Sequence, residues 1–218
     1  PEPFPMSLIP RASISLSPSA PWRCALAVAG ALTLAACSPD SPTAPNSDLS
    51  ARAANGAAVQ MIDGRALADV RAATAKYHRA EVALAEGYIN TGECVASPAG
   101  GMGIHFVKPG LMGSPAPNGD ATFEPTRPEV LVYEPMKNGQ LQLVAVEYLV
   151  WRAPWDAAHP GTSPSFLGEE FAKSFGEAAH GLPDHYELHV WLWKHNANGM
   201  FAAWNPKVSC PAGAPAQH

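Results

Sequence analysis

The sequence has few cationic side chains and no cluster of them. Its 14 lysines and arginines are outnumbered by 19 aspartates and glutamates, which gives a net charge of -5. Domains that bind nucleic acid present a basic patch or stripe to the phosphates. The charge pattern therefore gives no indication of a nucleic-acid partner.

Two common catalytic motifs are also missing. The glycine-rich stretch 98–103 is followed neither by Lys-Ser/Thr nor by a predicted helix, so it is not a phosphate-binding loop. The G-x-S-x-G pattern of many serine hydrolases does not occur. Serines such as Ser114 and Ser163 lie in proline-rich loops instead. A serine hydrolase is therefore poorly supported.

The sequence also has no apolar run long enough for a membrane-spanning helix. The longest apolar stretch, residues 24–36, follows Arg11 and Arg23 and ends in Leu-Ala-Ala-Cys. A short apolar core after positive residues is typical of a secretory signal, and the ending resembles the lipobox of bacterial lipoproteins. We predict that residues 1–36 are a signal peptide and that Cys37 is lipidated. The protein would then be anchored to a membrane of the cell envelope, on its periplasmic or extracellular side; a plain signal peptide is the alternative.

The segment that follows is poor in apolar residues and rich in proline. Residues 37–57 cannot bury enough surface to fold, so they are predicted to be a disordered tether. Residues 58–210 are long enough for one globular domain with a core of its own. Residues 211–218 are predicted to be a disordered tail.

Cysteine is scarce, and its positions are informative. Of the 4 cysteines, one lies in the predicted signal and one is the predicted lipidation site. The remaining pair, Cys94 and Cys210, is predicted to form a disulfide in an oxidising compartment. Metal-binding thiolates are the weaker alternative, because neither cysteine lies in C-x-x-C spacing.

The pattern of residues 60–86 predicts one long helix. Alanine is abundant there, and apolar residues such as Leu67 and Val70 recur at helical spacing. Asp63 is a candidate N-cap, and Gly87 stands where a helix is commonly closed.

The rest of the domain reads as strands, hairpins and loops. Alternating apolar segments predict about five strands, and Asn138-Gly139 predicts a two-residue hairpin turn. That turn would place Val130 opposite Glu147 and Glu134 opposite Leu143. We predict an α+β fold in which the long N-terminal helix packs on an antiparallel sheet. A rolled or barrel-like sheet is the alternative.

One stretch combines a strand pattern with many polar and aromatic side chains. Residues 187–195 alternate strictly, so one face carries Glu187, His189 and three further residues, Trp191, Trp193 and His195. We predict that this face lines a pocket and that Trp191, Trp193, His195 and Tyr148 contact a small molecule or carbohydrate. Tryptophan packed in an ordinary β core is the alternative.

Four ionisable residues lie inside otherwise apolar strands: His105, Glu134, Glu147 and His189. Burying an unpaired charge is costly, so these groups are expected to meet. Two imidazoles and a carboxylate suit zinc, iron, manganese or copper and leave positions open on the metal. We predict a metal site formed by His105, Glu147 and His189, with Glu134 as a further ligand or supporting residue. A buried polar network without metal is the alternative.

Several sequence blocks together resemble a known group of proteins. These blocks are G-Y-I-N-T-G-E-C, G-G-M-G-I-H-F-V, P-E-V-L-V-Y-E-P, L-V-A-V-E-Y, H-Y-E-L-H-V-W-L-W and W-N-P-K-V-S-C. The pattern is similar to a family of uncharacterised secreted or lipid-anchored bacterial proteins. The resemblance covers residues 58–210 and implies a self-contained exported domain. It implies no activity.

The sequence therefore predicts an exported lipoprotein with a metal site, and leaves open whether it is an enzyme. A non-catalytic lipoprotein that binds a carbohydrate or small molecule is one alternative. A subunit of an extracellular assembly, with the aromatic face buried against another chain, is a second.

Overall fold

The computed structural model of the protein describes residues 61, 63–176 and 181–211. The predicted signal peptide, the lipidation site at Cys37 and the predicted tether lie outside these residues. So do residues 58–60 of the predicted domain and residues 212–218 of the predicted tail.

A curled antiparallel sheet of six strands dominates the described part of the chain, with the strand order β1-β2-β3-β4-β8-β7. Two further strands, β5 and β6, form a small hairpin. The strand bounds are β1 Ile89–Ser97, β2 Gly100–Val107, β3 Val130–Pro135, β4 Leu141–Trp151, β5 Ser165–Phe166, β6 Glu169–Glu170, β7 Ala172–Ser174 and β8 His185–Val190. The sheet has the shape of half a barrel. The predicted α+β class with an antiparallel sheet is confirmed.

The prediction of one long helix over residues 60–86 is wrong. Residues 63–74 are helical, but a 3-10 turn follows at Ala75–His78 and Arg79 has extended backbone angles. Only then does the short helix α1, Ala80–Ala85, begin. The Tyr133 hydroxyl donates a hydrogen bond of 2.6 Å to the Tyr77 carbonyl, which a continuous α-helix would use for the amide four residues later. A tertiary contact thus interrupts a segment whose local sequence favours helix.

The other described helices are short. They are α2, Pro109–Met112, and α3, Arg152–Ala158. Among the described residues, no helix has both the length and the apolar character needed to cross a membrane.

The larger core lies on one face of the sheet, where the helical segments pack. Its strand residues include Phe106, Leu131 and Val146, all fully buried. Tyr148 belongs to this core as well: it is fully buried, and its hydroxyl donates to the Pro125 carbonyl. Tyr148 is therefore on the face of the sheet opposite the one that carries Val132 and Ala145.

A smaller core lies on the other face and is covered by the C-terminal segment 196–210, which we call the strap. Val208 of the strap packs with Val132, Val144, Ala145 and Trp191. A disulfide between Cys94 and Cys210, the pair that the sequence predicts, fastens the strap to β1 across a sequence separation of 116 residues. The strap thus covers part of the face that carries the polar residues of the central strands.

The β3–β4 hairpin departs from its predicted turn and recovers its predicted register further on. Its turn has three central residues, 137–139, because the Met136 amide donates a hydrogen bond to the Gln140 carbonyl. Glu134 consequently lies opposite Gln142 rather than Leu143. The pairing then shifts by one residue, so that Val144 has no partner on β3. This one-residue bulge compensates for the longer turn, since each changes the register by one residue. Val130 therefore pairs with Glu147 as predicted.

Candidate metal centre

Three neighbouring parts of the sheet bring His105, Glu147 and His189 together. Glu147 on β4 lies opposite His189 on β8. Glu147 also lies opposite Val130 on β3, while His105 on β2 lies opposite Val132, two residues further along β3. Since residues two apart on a strand face the same side, all three polar side chains project from one face of the sheet.

The donor atoms of these three residues lie close to one another. Glu147 Oε2 is 3.4 Å from His105 Nε2 and 3.6 Å from His189 Nε2. One ligand atom from each residue lies within 4.8 Å of the other two. The imidazole centroids are 6.0 Å apart, although in a flat sheet β2 and β8 would be separated by about 14 Å. The side chains therefore converge from three strands onto one point.

The group is almost closed to solvent. The exposed fractions of the side chains are 16% for His105, 6% for Glu147 and 2% for His189. The Nε2 atom of His189 is buried and has no hydrogen-bond partner. A buried nitrogen without a partner is costly, so this atom is the place where a bound ligand would bring the largest gain. Solvent reaches the group on the His105 side.

Burial also sets the protonation of the group. It lowers the pKa of His105 to about 3, with the nearby His189 adding to the effect, and it lowers the pKa of His189. It raises the pKa of the Glu147 carboxyl well above its usual value, and the charge of Glu187 adds to that rise. The two imidazoles therefore favour the uncharged form, in which a ring nitrogen can donate an electron pair to a metal, and Glu147 keeps its proton to a higher pH than an ordinary glutamate does.

Glu187 lies beside this group and is absent from the predicted set of ligands. Burial alone would raise its pKa, but the hydrogen bond from His185, with smaller contributions from the neighbouring His189 and Ser174, lowers it to about 2. Its charge in turn raises the pKa of the Glu147 carboxyl group. The alternation of residues 187–195 already placed Glu187 on the same face as His189, so the signal for it was present in the sequence.

Glu134, predicted as a further ligand, does not join the group. Its carboxylate pairs with the Lys194 ammonium group and accepts a hydrogen bond of 3.0 Å from the Ser209 amide. The pairing with Lys194 arises because the chain bends after β8, so that Lys194 no longer follows the alternation of a straight strand. Glu134 fastens the strap instead of binding at the centre.

The four residues predicted to contact a ligand do not form one surface. The strand β8 ends at Val190, so Trp191 and Trp193 do not share a strand face. Trp191 packs in the smaller core and its indole nitrogen donates to the Ala202 carbonyl, whereas Trp193 packs against the larger core. His195 is exposed, and Tyr148 lies in the larger core. The predicted tryptophan-lined pocket is therefore not present in this form.

Only Trp191 of these residues stands next to the candidate centre. Its ring is stacked near that of His189, with centroids 6.4 Å apart and planes inclined by 17°. Two surface cavities, of about 410 Å³ and about 370 Å³, are lined by residues outside the centre. The first lies beside α3 and the second beside α1, so neither provides a binding pocket for the His/Glu group.

The donor set fits a transition metal ion. Ligand atoms held about 2.1 Å from a shared ion at tetrahedral angles lie about 3.4 Å from one another. The two nitrogen–oxygen distances are close to this spacing, and the ligand nitrogens of the two imidazoles lie within 4.8 Å of each other. Two imidazoles and one carboxylate also leave coordination positions free for a further ligand.

Comparison of the chain with protein-family models, with curated proteins and with solved structures finds no match. The resemblance to a family of secreted or lipid-anchored bacterial proteins therefore stays a prediction. The site has to be interpreted from its own geometry.

Proposed function

We propose that the protein is an exported, lipid-anchored metal-binding protein whose centre consists of His105, Glu147 and His189. One observation carries the proposal: one donor atom from each of three strands lies within 4.8 Å of the other two, and the buried Nε2 atom of His189 in this group has no hydrogen-bond partner. A divalent transition metal would accept electron pairs from both imidazoles and from the Glu147 carboxylate.

A buried polar network without metal explains the geometry less well. Such a network is tolerated when each of its polar atoms has a partner. Here the distance of 3.6 Å between Glu147 Oε2 and His189 Nε2 is too long for a good hydrogen bond, and Nε2 is left unpaired. A shared ion would satisfy all three donor atoms at once.

Binding of a carbohydrate on a tryptophan surface receives no such support. Trp191 is buried with its nitrogen bonded to Ala202, and Trp193 packs on a different core. A flat sugar ring needs an exposed aromatic face on which to stack. We therefore favour metal binding over the carbohydrate alternative.

Export and lipid anchoring complete the proposal. The apolar stretch that ends in Leu-Ala-Ala-Cys37 supports them from the sequence. The disulfide between Cys94 and Cys210 is compatible with an oxidising compartment, since such bonds are rare in the reducing cytosol. Metabolic labelling with a radioactive fatty acid tests the anchor, and a Cys37→Ser variant that still carries label would contradict it.

Metal content is the direct test of the centre. The protein should be purified without a histidine tag, stripped with chelator and titrated in turn with zinc, iron, manganese and copper salts. We expect one equivalent of at least one of these metals to bind. His105→Ala is expected to abolish binding or weaken it by at least a hundredfold, because one of three ligands is lost.

The matched control is His195→Ala, which removes an exposed imidazole from the segment just after β8. Its metal affinity should equal that of the unmodified protein. Circular dichroism checks that each variant is folded. Absence of stoichiometric binding for every metal in the series would refute the proposal, as would equal effects of the His105 and His195 substitutions.

A further inference from the structure

Glu187 adjoins the proposed centre without being one of its ligands. It is two residues before His189 on β8 and lies opposite Leu149, two residues after Glu147 on β4. All of these polar side chains are therefore on one face of the sheet. Glu187 and Glu147 are diagonal neighbours on adjacent strands, and the charge of Glu187 raises the pKa of the Glu147 carboxyl group.

Glu187 is held in place from its other side. His185 Nε2 lies 3.3 Å from Glu187 Oε2, and His185 Nδ1 lies 2.9 Å from the Pro183 carbonyl oxygen. Both neighbours of the imidazole are hydrogen-bond acceptors, so both ring nitrogens donate and His185 carries a positive charge. Ser174 lies opposite His185 on the neighbouring strand β7, and its hydroxyl helps to lower the pKa of Glu187.

The charge balance of a filled centre requires a group of this kind. A divalent ion bound by two neutral imidazoles and one carboxylate retains a net positive charge in a nearly dry environment. An uncompensated buried charge is strongly destabilising, whereas a nearby ionised carboxylate offsets it. Substitution of a residue that supports the metal ligands from outside the coordination sphere commonly weakens metal affinity by about 10–100-fold.

We infer that Glu187, fixed by His185, is a positioning residue that supplies the second negative charge for the metal bound by His105, Glu147 and His189. This inference rests on the proposed function, because it assigns a role towards a metal in that centre. Glu187 acts through the electrostatic field that it exerts on the centre from the same face of the sheet.

Glu187 could affect metal affinity through its charge or only through the shape of its side chain, and two substitutions distinguish these roles. Glu187→Gln keeps the shape and hydrogen-bonding capacity of the side chain but removes its charge. Glu187→Asp keeps the charge but shortens the side chain. If charge matters, the Gln variant is the weaker metal binder; if shape matters, the Asp variant is.

The experiment measures zinc affinity by competition with a chromophoric chelator. We expect Glu187→Gln to weaken zinc binding by about 10–100-fold and Glu187→Asp to weaken it less. Glu170→Gln, which removes an exposed carboxylate on β6, is the control for overall charge and should bind zinc as the unmodified protein does. Thermal unfolding of the metal-free variants shows whether they fold.

The outcomes distinguish the two proposals. If the unmodified protein binds none of the metals tested, the proposed function itself fails. If it binds zinc and Glu187→Gln binds as tightly as Glu187→Asp or more tightly, the role of Glu187 is refuted while the centre stands. If the unmodified protein binds another metal of the series instead, the same comparison is made with that metal.

A second variant keeps the test decisive if Glu187→Gln does not fold. His185→Gln can still donate a hydrogen bond to Glu187, but it removes a positive charge from the surroundings of the centre. Zinc affinity is then expected to stay at or above that of the unmodified protein. A lower affinity would refute the electrostatic role.

Discussion

Glu147 lies directly opposite His189 in the pairing of β4 with β8, with 3.6 Å between Glu147 Oε2 and His189 Nε2. This relationship depends on the bulge at Val144. Because one extra residue reverses the face on which all later side chains of a strand lie, the bulge directs Glu147 rather than Val146 towards the polar face. A feature of the backbone thus selects the carboxylate of the centre.

Metal binding should release a proton from Glu147. Burial raises the pKa of this carboxyl group well above its usual value and lowers the pKa of His105 to about 3, so the carboxyl group keeps its proton to an unusually high pH while the imidazole stays uncharged. A metal must displace the carboxyl proton, and affinity is therefore expected to fall as the pH is lowered. Titration calorimetry in buffers of different ionisation enthalpy should detect proton release on metal binding, and more of it at lower pH.

The pH at which metal affinity falls shows which ligand takes up the proton. Burial lowers the pKa of both imidazoles, that of His105 to about 3, so histidine protonation weakens binding only at a lower pH than it would for exposed histidines. If binding released no proton even at mildly acidic pH, the carboxyl group would already be ionised there and the raised pKa of Glu147 would be wrong. Glu147→Asp, which keeps a carboxyl group at this position, is the appropriate comparison.

Strand periodicity identified the three residues that converge at the centre. His105, Glu147 and His189 each interrupt an apolar strand, and the cost of burying isolated polar groups predicted that they would meet. Glu134 fits the same rule, but its partner is Lys194. The rule predicts that a buried charge has a partner; it does not predict which partner.

The errors arose where contacts distant in sequence override local pattern. Residues 60–86 favour helix locally, yet the Tyr133 hydroxyl donates a hydrogen bond to the Tyr77 carbonyl and the helix is interrupted there. The alternation of residues 187–195 continues to His195, but the strand ends at Val190 because the Trp191 amide bonds the Met200 carbonyl in the strap. Neither partner can be deduced from the residues on either side of the break.

Glu129 provides a test of stability against pH that is independent of metal. Burial raises the pKa of this carboxyl group to about 8 from the usual 4.5, so the folded protein holds the proton more tightly than the unfolded chain. Its stabilising contribution is complete below about pH 4.5 and is lost as the pH rises through about 8. Glu129→Gln cannot ionise, and its amide oxygen can still accept the Leu149 N–H.

We therefore expect the free energy of unfolding of the unmodified protein to fall relative to that of Glu129→Gln between pH 5 and 9, by on the order of 4 kcal/mol. Urea denaturation at a series of pH values measures this. Glu170→Gln, an exposed carboxylate, should show the same pH dependence as the unmodified protein. Parallel curves for the unmodified protein and Glu129→Gln would contradict the assignment.

The pair formed by Glu134 and Lys194 should be a fold determinant rather than part of the centre. Lys194→Met leaves the Glu134 carboxylate buried with only the Ser209 amide as a partner. We expect this variant to lose about 1–3 kcal/mol of stability, and Glu134→Gln/Lys194→Met to recover part of the loss. Metal affinity should be unchanged in both. A hundredfold loss of affinity would place Glu134 among the ligands after all.

The disulfide should matter to the centre as well as to the fold. It joins Cys94 to the end of the strap, and the strap contacts the neighbours of both histidines: Val208 packs on Val132, opposite His105, and the Ala202 carbonyl accepts from Trp191, beside His189. Replacing both cysteines with serine is expected to cost about 2–5 kcal/mol, measured by urea denaturation.

Loosening the strap should also accelerate metal loss, since the centre is nearly closed while the strap is in place. Stopped-flow transfer of metal to excess chelator is expected to be at least several-fold faster for the Cys94→Ser/Cys210→Ser protein than for the oxidised protein. Reductant should accelerate release from the unmodified protein but not from the serine variant, because only the former has a bond to break. Equal release rates throughout would mean that the strap stabilises the fold without restricting access to the metal.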